Sequence, residues 1–306
     1  PLPVPVAFSA DMDAPVPFDA ATTVVVEGPG QNAVRWVADH FVQWYGAQAP
    51  RVVSGTAGLQ LRAGDEAYAV SAGKDGVKLA ARTLAGVRWA VYTLRQLVIA
   101  KRGTFRTEGR LVPACSISDS PHLCWFPEVR TEQVERAIRL AALLKFNYAV
   151  LEPWGMYRSE KHPWWGWPGA KMTKAEVRRL VALGRDLGIT LVPQLNAFGH
   201  ASSARSCTKK HAILDLQPEY EPLFEPGGWN WCLTNPETQR ILRELIVELH
   251  EDFENPPFFH LGCDEADPPG CPDCRRVPYG ELVCRHIGDL AQFVEARGAR
   301  AMIWHD

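Results

Sequence analysis

The sequence has no strong excess of charge of either sign. Its 306 residues carry a formal net charge of −2 at pH 7, and its isoelectric point is about 6.6. Nucleic acids and anionic membrane surfaces attract proteins through clustered basic residues, which create a positive field. We therefore expect neither a nucleic-acid partner nor a membrane partner.

The sequence also lacks long apolar runs, a recognisable leader and a high density of cysteine. No apolar stretch approaches the roughly 20 residues that a membrane-spanning helix needs. Eight cysteines are too few for a chain of this length to be a disulfide scaffold. The chain begins at Pro1 without a methionine or a charged-then-apolar leader, so we expect a processed or trimmed sequence. Hydrophobic residues make up 46% of it, which excludes extended disorder.

Tryptophan, in contrast, is abundant, with 11 residues in the chain. Trp154, Trp165 and Trp229 each adjoin a glycine, which indicates loops. Tryptophan on a loop can complete a hydrophobic core, but its flat apolar ring also matches the C–H face of a pyranose. Composition leaves both interpretations open.

Residues 1–105 have the pattern of a small α/β domain. Predicted strands cover residues 22–28, 59–64 and 68–81, and predicted helices cover 33–44 and 85–100. Within 68–81, the segment Lys74-Asp75-Gly76 is typical of a hairpin turn.

Residues 106–306 instead alternate between apolar strands and amphipathic helices. The predicted strands lie at 114–118, 147–152, 189–195, 257–262 and 299–304. Such alternation indicates a parallel sheet with helices outside it, either doubly wound or closed into a (β/α)8 TIM-type barrel. Polar and aromatic residues follow the ends of successive strands, which favours the barrel. We predict an α/β chain in which the small domain at 1–105 precedes a catalytic barrel at 106–306, with strands one to five in this sequence and strands six to eight outside it.

Two adjacent carboxylates, Asp264 and Glu265, follow the fourth of these strands in the segment HLGCDEA (260–266). An ionised carboxylate favours the protonated form of a carboxyl group beside it, and a general acid must keep its proton near neutral pH. The same pair could also begin a helix or be solvated on a loop. A bare Asp-Glu dipeptide does not decide between these interpretations.

Two histidines lie near these carboxylates in the predicted fold. His200 follows Gly199 after the third strand, where it can either support an acid/base or bond to the backbone of its own loop. His260 lies inside the fourth strand, and we expect it to be a hydrogen-bonding core residue rather than a catalyst.

The segment Cys271-Pro-Asp-Cys274 carries two of the cysteines, with Cys263, Cys284 and His286 nearby. This pattern fits a zinc knuckle, a disulfide or a pair of reduced structural cysteines. Its spacing is irregular for zinc, and no second Cys-x2-Cys pair is present. We expect structural cysteines and no metal.

The segment 260–266 resembles the His-x-Gly-x-Asp-Glu motif of glycoside hydrolase family 20, the β-N-acetylhexosaminidases. The resemblance covers nearly the whole sequence. Residues 65–98 resemble the small α/β domain that precedes the family's barrel. Three segments resemble parts of the barrel itself: 116–121 its first strand, 192–202 the third-strand motif that ends in Gly-His, and 231–249 the helix before the Asp-Glu strand.

The resemblance implies substrate-assisted catalysis, in which the substrate's 2-acetamido oxygen is the nucleophile and the protein needs only one acid/base. It implies that Glu265 protonates the leaving oxygen and then activates water, while Asp264 orients the acetamido group. It also implies that Trp304 lines the sugar pocket, as a fifth-strand tryptophan does in the family. The remaining residues that we expect to bind substrate are His200, Glu152, Trp154 and Asn196.

The sequence departs from the family pattern at two places. The family usually has an Arg-Gly after the first strand, whereas residues 122–130 read HLCWFPEVR and Arg130 is not clearly equivalent. The second strand of the family usually ends His-Leu-x-Asp, but here Glu152 and Gly155 occupy the His and Asp positions. Glu152 either replaces the missing contacts to sugar hydroxyls or bonds within the barrel.

The implied function is hydrolysis of terminal β-linked N-acetylhexosamine from a glycan or amino-sugar substrate, without a cofactor. A secreted or periplasmic location fits such an activity, and the oligomeric state cannot be inferred. One alternative is a non-catalytic barrel that binds carbohydrate. Another is a zinc-dependent hydrolase that uses Cys271, Cys274 and His286.

Overall fold

The computed structural model describes residues 7–11, 16–61, 63–99, 104–109, 116–119, 131–166, 172–201 and 213–304. The chain divides into two compact units, the first made of residues 1–115 and 139–147 and the second of residues 116–138 and 148–306. Over the described ranges, no helix combines the length and the apolar character that crossing a membrane requires.

The first unit contains one mixed sheet and two long helices. Its strands are β1 (Ala7–Asp11), β2 (Thr23–Glu27), β3 (Arg51–Ser54), β4 (Tyr68–Gly73), β5 (Gly76–Ala81) and β6 (Thr104–Gly109), and its long helices are α1 (Gln31–Tyr45) and α2 (Leu84–Ile99). The strand order is β1-β6-β4-β5-β2-β3, and β2 pairs in parallel with both β3 and β5. Helix α1 packs on β3, and helix α2 packs on β4 and β5. Strand β6 crosses the predicted boundary after residue 105, and that division of the chain stays a prediction.

The predicted hairpin around Lys74-Asp75 is confirmed. Strands β4 and β5 pair antiparallel, with Gly73 opposite Gly76. Gly76 has a φ of 106°, and a Cβ at this position would lie 2.5 Å from the backbone oxygen of Thr23. Only glycine fits such a turn without displacing the neighbouring strand.

The predicted strand at residues 59–64 is wrong, because none of the described residues in that range belongs to a strand. The strand next to β2 is instead β3, Arg51–Ser54, which the sequence analysis did not predict. Gly58 and Gly64 flank the segment with φ values of 65° and 121°. These conformations turn the chain at both ends of the segment.

The rest of the chain alternates between strands and helices. In chain order the elements are β7 (Ser116–Asp119), α3 (Thr131–Leu143), β8 (Tyr148–Leu151), α4 (Lys174–Leu187), β9 (Thr190–Pro193), α5 (Ile213–Leu216), α6 (Pro236–Asp252), β10 (Phe258–His260), α7 (Tyr279–Glu295) and β11 (Arg300–Met302). Short 3-10 helices lie at Trp154–Met156, Pro218–Leu223 and Cys274–Arg276.

The five strands β7 to β11 are parallel neighbours in chain order. Strands β7, β8 and β9 form one ladder, and β10 pairs with β11. The two groups are joined beyond the end of β9, where the backbone N–H of Leu195 donates to His260 and that of Ala197 donates to Leu261, both at 2.9 Å. A doubly wound sheet reverses its strand order at a switch point. The described strands have no such reversal, and their order is compatible with part of a (β/α) barrel.

Helix α6 shows how the sequence positions the strand that precedes the two carboxylates. The Asn235 side chain accepts a hydrogen bond from the Glu237 N–H, and Pro236 occupies the first turn. One face of α6 carries leucines that are fully buried, and the following strand β10 contributes the buried Phe259. The cap fixes the start of α6, and the buried leucines anchor the helix that leads into β10.

Candidate active site

The carboxyl ends of four parallel strands carry most of the residues predicted for the site. Glu152 follows β8, Asn196 follows β9, and Asp264 and Glu265 follow β10. Trp304 follows β11, and its backbone N–H donates to the Gly262 oxygen at 2.9 Å. Because the strands are parallel, these ends meet at one edge of the sheet, which is where TIM-type barrels carry their active sites.

His200 lies between the two adjacent carboxylates. Its Nε2 atom is 3.5 Å from Oδ2 of Asp264 and 3.3 Å from Oε2 of Glu265. The Asp264 side chain is 28% exposed and that of Glu265 is 70% exposed. Among the described residues, Oδ1 of Asp264 is buried and has no hydrogen-bond partner. The two carboxylates are thus distinct, because one is partly sheltered with a free acceptor and the other faces solvent.

The backbone that carries these carboxylates is held in an unusual conformation. Gly262, Cys263 and Glu265 have φ values of 66°, 76° and 48°, in the left-handed region. Residues other than glycine seldom adopt this region, and those that do so are concentrated at functional sites. Gly199 packs so closely that a Cβ there would lie 2.2 Å from the backbone oxygen of Asp264. The loop therefore fits only against a glycine.

Trp229 and Asn230 support the same loop from the segment that precedes α6. The Trp229 indole N–H donates to the backbone oxygen of Glu265 at 2.6 Å, and its ring lies 4.1 Å from the His200 ring. The Asn230 amide donates to the backbone oxygen of Asp267 at 2.6 Å and accepts from its N–H at 3.2 Å. These contacts fix the backbone on the carboxyl side of the two carboxylates.

Glu152 and Asn196 form a buried polar network. The Asn196 Nδ2 donates to Oε1 of Glu152, and the Gln194 Nε2 donates to Oδ1 of Asn196 at 2.9 Å. We call residues 262–267, which include Asp264 and Glu265, the carboxylate loop. A Cβ on Gly262 would lie 2.5 Å from that same Asn196 oxygen, so the network packs directly against the start of this loop. The Trp231 indole N–H donates to the Asn196 backbone oxygen at 2.8 Å and secures it from the other side.

His260 lies beneath the site as a buried residue. Its Nδ1 accepts a hydrogen bond from the Gly262 N–H at 3.0 Å, and its ring is 4.6 Å from that of Trp304. Burial lowers the pKa of His260 to about 4, so the imidazole is neutral near pH 7. This hydrogen bond to the backbone agrees with the core role that the sequence analysis assigned to it.

The structure places five of the seven predicted residues in two contacting groups and packs a sixth, Trp304, against His260 with the two rings tilted by 50°. His200 joins Asp264 and Glu265, Glu152 joins Asn196, and Trp304 packs on the buried His260 ring. Trp154 is in a short 3-10 helix after β8, but its side chain lies outside the described part of the chain, as does the segment 122–130 with Arg130.

Sequence reasoning did not assign Trp229, Asn230 or Gln194 to the site. One feature of the sequence could have indicated Trp229, because it is a tryptophan next to a glycine in the long insertion before α6. No sequence feature indicated Asn230 or Gln194. Asn230 bonds to Asp267, which is 37 residues away, and Gln194 acts through Asn196, which bonds to the distant Glu152.

The alternative zinc site made of Cys271, Cys274 and His286 is wrong. His286 is buried, its Nε2 lies 2.8 Å from the Ala197 backbone oxygen, and its Nδ1 lies 3.0 Å from the Gln239 amide. Both ring nitrogens are therefore occupied by partners from other elements. The two cysteines instead lie near Cys232 and Glu225.

Two family models match this chain. Residues 1–120 match "Glycosyl hydrolase family 20, domain 2", and residues 142–306 match "Glycosyl hydrolase family 20, catalytic domain". A β-N-acetylhexosaminidase of Cellulomonas fimi is 28% identical over all of this chain and 65% of its own length. A β-hexosaminidase of Vibrio furnissii is 26% identical over 77% of this chain and 44% of its own length.

Solved structures show the same fold. An exo-β-N-acetylglucosaminidase of Vibrio harveyi aligns with 99% of this chain and 54% of its own, at a TM-score of 0.74 and 18% identity. An N-acetyl-β-hexosaminidase of Streptomyces plicatus aligns with 99% of this chain and 65% of its own, at a TM-score of 0.69 and 20% identity. The chain thus spans less than two thirds of these relatives, including a small N-terminal domain and part of a TIM-type catalytic domain. It belongs to glycoside hydrolase family 20.

Proposed function

We propose that this chain is the part of a glycoside hydrolase that removes terminal β-linked N-acetylhexosamine with retention of configuration. The observation that carries the proposal is the arrangement of Asp264 and Glu265 around His200 at the carboxyl end of β10. The two carboxylates are adjacent in the chain, and both contact the same His200 nitrogen. A retaining enzyme with this arrangement needs its nucleophile from the substrate.

In the first step, the substrate's acetamido oxygen attacks C1 while the glycosidic C–O bond breaks. Glu265 donates its proton to the leaving oxygen, and an oxazolinium ion forms. In the second step, Glu265 accepts a proton from water, the water oxygen attacks C1, and the oxazolinium opens. The exposure of the Glu265 side chain fits both tasks, because the leaving group and the water approach from solvent.

Asp264 orients the acetamido group in this proposal. Its buried Oδ1 has no partner among the described residues, so it can accept the acetamido N–H. A carboxylate so placed also stabilises the positive charge that develops on the oxazolinium. His200 contacts the other oxygen and holds the carboxylate in that orientation.

The aromatic and amide residues around the carboxylates bind the sugar ring. Trp304 supplies a flat apolar surface, and the His200 ring, which packs against Trp229, supplies a second one. The Glu152–Asn196 pair supplies buried acceptors and donors where the family usually has a His-Leu-x-Asp segment. We infer that this pair contacts sugar hydroxyls in place of that segment.

The proposal extends to the architecture. The five parallel strands in chain order support an eight-stranded barrel of which residues 106–306 form the first five strands and the helices between them. Residues 1–105 form the small domain that precedes it.

A panel of aryl β-glycosides with and without the 2-acetamido group tests the reaction. The protein should cleave N-acetyl-β-glucosaminides or N-acetyl-β-galactosaminides and leave plain β-glucosides and β-galactosides almost untouched. Efficient cleavage of the plain sugars, or a covalent glycosyl ester on the protein, would contradict the mechanism. Binding of the amino sugar without hydrolysis would instead indicate a carbohydrate-binding protein.

Substitution tests the roles of the carboxylates. Glu265→Gln should lower kcat by about 10²–10⁴-fold, the usual contribution of a general acid/base, while the substrate still binds. Glu281→Gln, which alters an exposed acid at the start of α7, is the matched control and should retain wild-type kinetics. A thiazoline that mimics the bicyclic intermediate should bind far more tightly than the free sugar, and Asp264→Asn should weaken that preference.

A further inference from the structure

Four potential metal ligands converge next to the carboxylate loop. They are Glu225, Cys232, Cys271 and Cys274, whose ligand atoms all lie within 4.8 Å of one another. Glu225, Cys232 and Cys274 are buried, and Cys271 is partly buried. They come from two segments, one before α6 and one before α7, so the cluster is formed by the fold and not by a single motif.

The spacing of the sulfur atoms is that of a tetrahedral metal site. Cys232 Sγ lies 3.8 Å from both Cys271 Sγ and Cys274 Sγ. Ligands held about 2.3 Å from a zinc ion at tetrahedral angles lie about 3.8 Å from one another. A disulfide requires a sulfur separation of about 2.05 Å and joins only two of the three sulfurs.

The surroundings orient these ligands as the outer shell of a metal site does. The Cys274 N–H donates to Cys271 Sγ at 3.3 Å, and the Thr234 hydroxyl lies 3.2 Å from Cys274 Sγ. Such hydrogen bonds orient a sulfur ligand so that its free lone pair points toward the position of the metal ion.

The Glu225 carboxylate is an independent observation that points to a cation at this place. Its side chain is 5% exposed. Oε2 accepts hydrogen bonds from the N–H groups of Gly270 and Cys271 at 2.7 and 2.6 Å. Oε1, in contrast, is buried and has no hydrogen-bond partner among the described residues. Burying a carboxylate oxygen without a partner is costly, and a cation beside the thiols removes that cost.

We propose that Glu225, Cys232, Cys271 and Cys274 bind one zinc ion as a closed structural site. Three thiolates and one carboxylate complete a tetrahedral set and leave no open position for water or substrate. The site therefore takes no part in hydrolysis. Zinc is favoured over magnesium or calcium because three of the four ligands are thiolates, which those harder cations do not select.

The ion would join the two segments that build the candidate active site. Glu225 and Cys232 flank Trp229 and Asn230, whereas Cys271 and Cys274 follow the loop that carries the two carboxylates. The hydrogen bonds from Trp229 to Glu265 and from Asn230 to Asp267 lie between these anchors. Zinc therefore stabilises this part of the fold whether or not the protein is a glycosidase.

Metal analysis of the purified protein tests the site directly. We expect one zinc per chain after dialysis, with the three thiols unreactive until a strong chelator is added. Replacement by cobalt should give the intense d–d absorption and the sulfur-to-metal charge-transfer bands of tetrahedral thiolate coordination. Protein that contains no zinc, fails to take it up and shows no such bands would overturn the proposal. A disulfide between two of these three cysteines, located by peptide mass spectrometry after non-reducing purification, would also overturn it.

Two variants and one control locate the ligands. Cys232→Ser and Glu225→Gln should lose zinc or bind it much more weakly, and chelation should lower the Tm of the wild type by several degrees. Cys284→Ser is the matched control, because Cys284 is exposed and lies outside the cluster. Equal zinc content in all three variants would refute the assignment. Where a variant does not fold, the stoichiometry and the cobalt spectrum of the wild type decide the question alone.

Discussion

Gly199 offers the sharpest test of how the carboxylate loop is positioned. In Gly199→Ala, the new Cβ would lie 2.2 Å from the backbone oxygen of Asp264 and 3.2 Å from two backbone atoms of Ala266. Contacts of a Cβ below 3.0 Å essentially never occur, so the loop must move by close to 1 Å. The atoms in the way are backbone atoms, which cannot turn aside as a flexible side chain can.

A displacement of that size has a defined kinetic consequence. Moving a catalytic group by about 1 Å can lower the rate by about 10²-fold, because the reacting atoms leave their productive geometry. This corresponds to about 2.7 kcal/mol of lost transition-state stabilisation. Overpacking costs about 1–3 kcal/mol of folding stability. We therefore expect a folded variant whose kcat/KM for an aryl N-acetyl-β-glucosaminide is about 10²-fold lower.

The matched control is Gly288→Ala in helix α7, where a Cβ meets no atom within 4 Å. This change should leave kcat/KM unaltered and should raise stability by about 0.5–1 kcal/mol, since alanine favours a helix. Initial rates and thermal unfolding of both variants separate positional effects from folding effects. A Gly199→Ala variant that folds and stays within about threefold of wild type would refute the close approach of the loop to Asp264.

Three further changes test other parts of the site. Trp229→Phe removes the indole N–H that donates to the Glu265 backbone oxygen, and it should lower kcat/KM about tenfold with a small change in Tm. Unchanged kinetics would show that this hydrogen bond does not position Glu265. Asn196→Asp places a second carboxylate against the buried Glu152, and urea unfolding at pH 7 should show a loss of about 3 kcal/mol or more; equal stability would contradict their contact. Burial lowers the pKa of His286 to about 4, so the unfolded chain binds more protons than the folded one below its ordinary pKa of about 6.5. Stability should therefore fall as the pH drops from about 6.5 to 4, with up to about 3 kcal/mol of the loss from His286, and His286→Gln should remove this part in urea titrations and leave the part that is due to His260.

Local patterns were sufficient to predict most of the second unit. Apolar runs followed by amphipathic helices located β8 to β11, and the Asn235-Pro236 pair marked the start of α6. The parallel arrangement followed from the alternation itself, since a helix between two strands returns the chain to the same edge. Because every strand end then faces one way, the grouping of Glu152, Asn196 and Asp264 could also be expected.

The features that the sequence did not reveal depend on pairing between distant segments. Strand β3 forms because Arg51–Ser54 fits beside β2, whereas the segment 59–63 lies between two glycines with positive φ. Cys232 is 39 residues before Cys271, so no spacing rule joins it to the Cys-x2-Cys segment. His286 is close to that segment in sequence, yet its ring bonds to Ala197.

The strained backbone at the carboxylates is supported by the same contacts that sequence reasoning missed. Cys263 and Glu265 are in the left-handed region, at a cost of about 1–2 kcal/mol each. Three hydrogen bonds from Trp229 and Asn230 hold the backbone that follows, each contributing about 1 kcal/mol net. The two totals are similar, so the loop keeps its conformation only while the segment before α6 stays in place. The position of the Glu265 carboxylate thus depends on a segment that is distant in sequence and supplies neither of the two carboxylates.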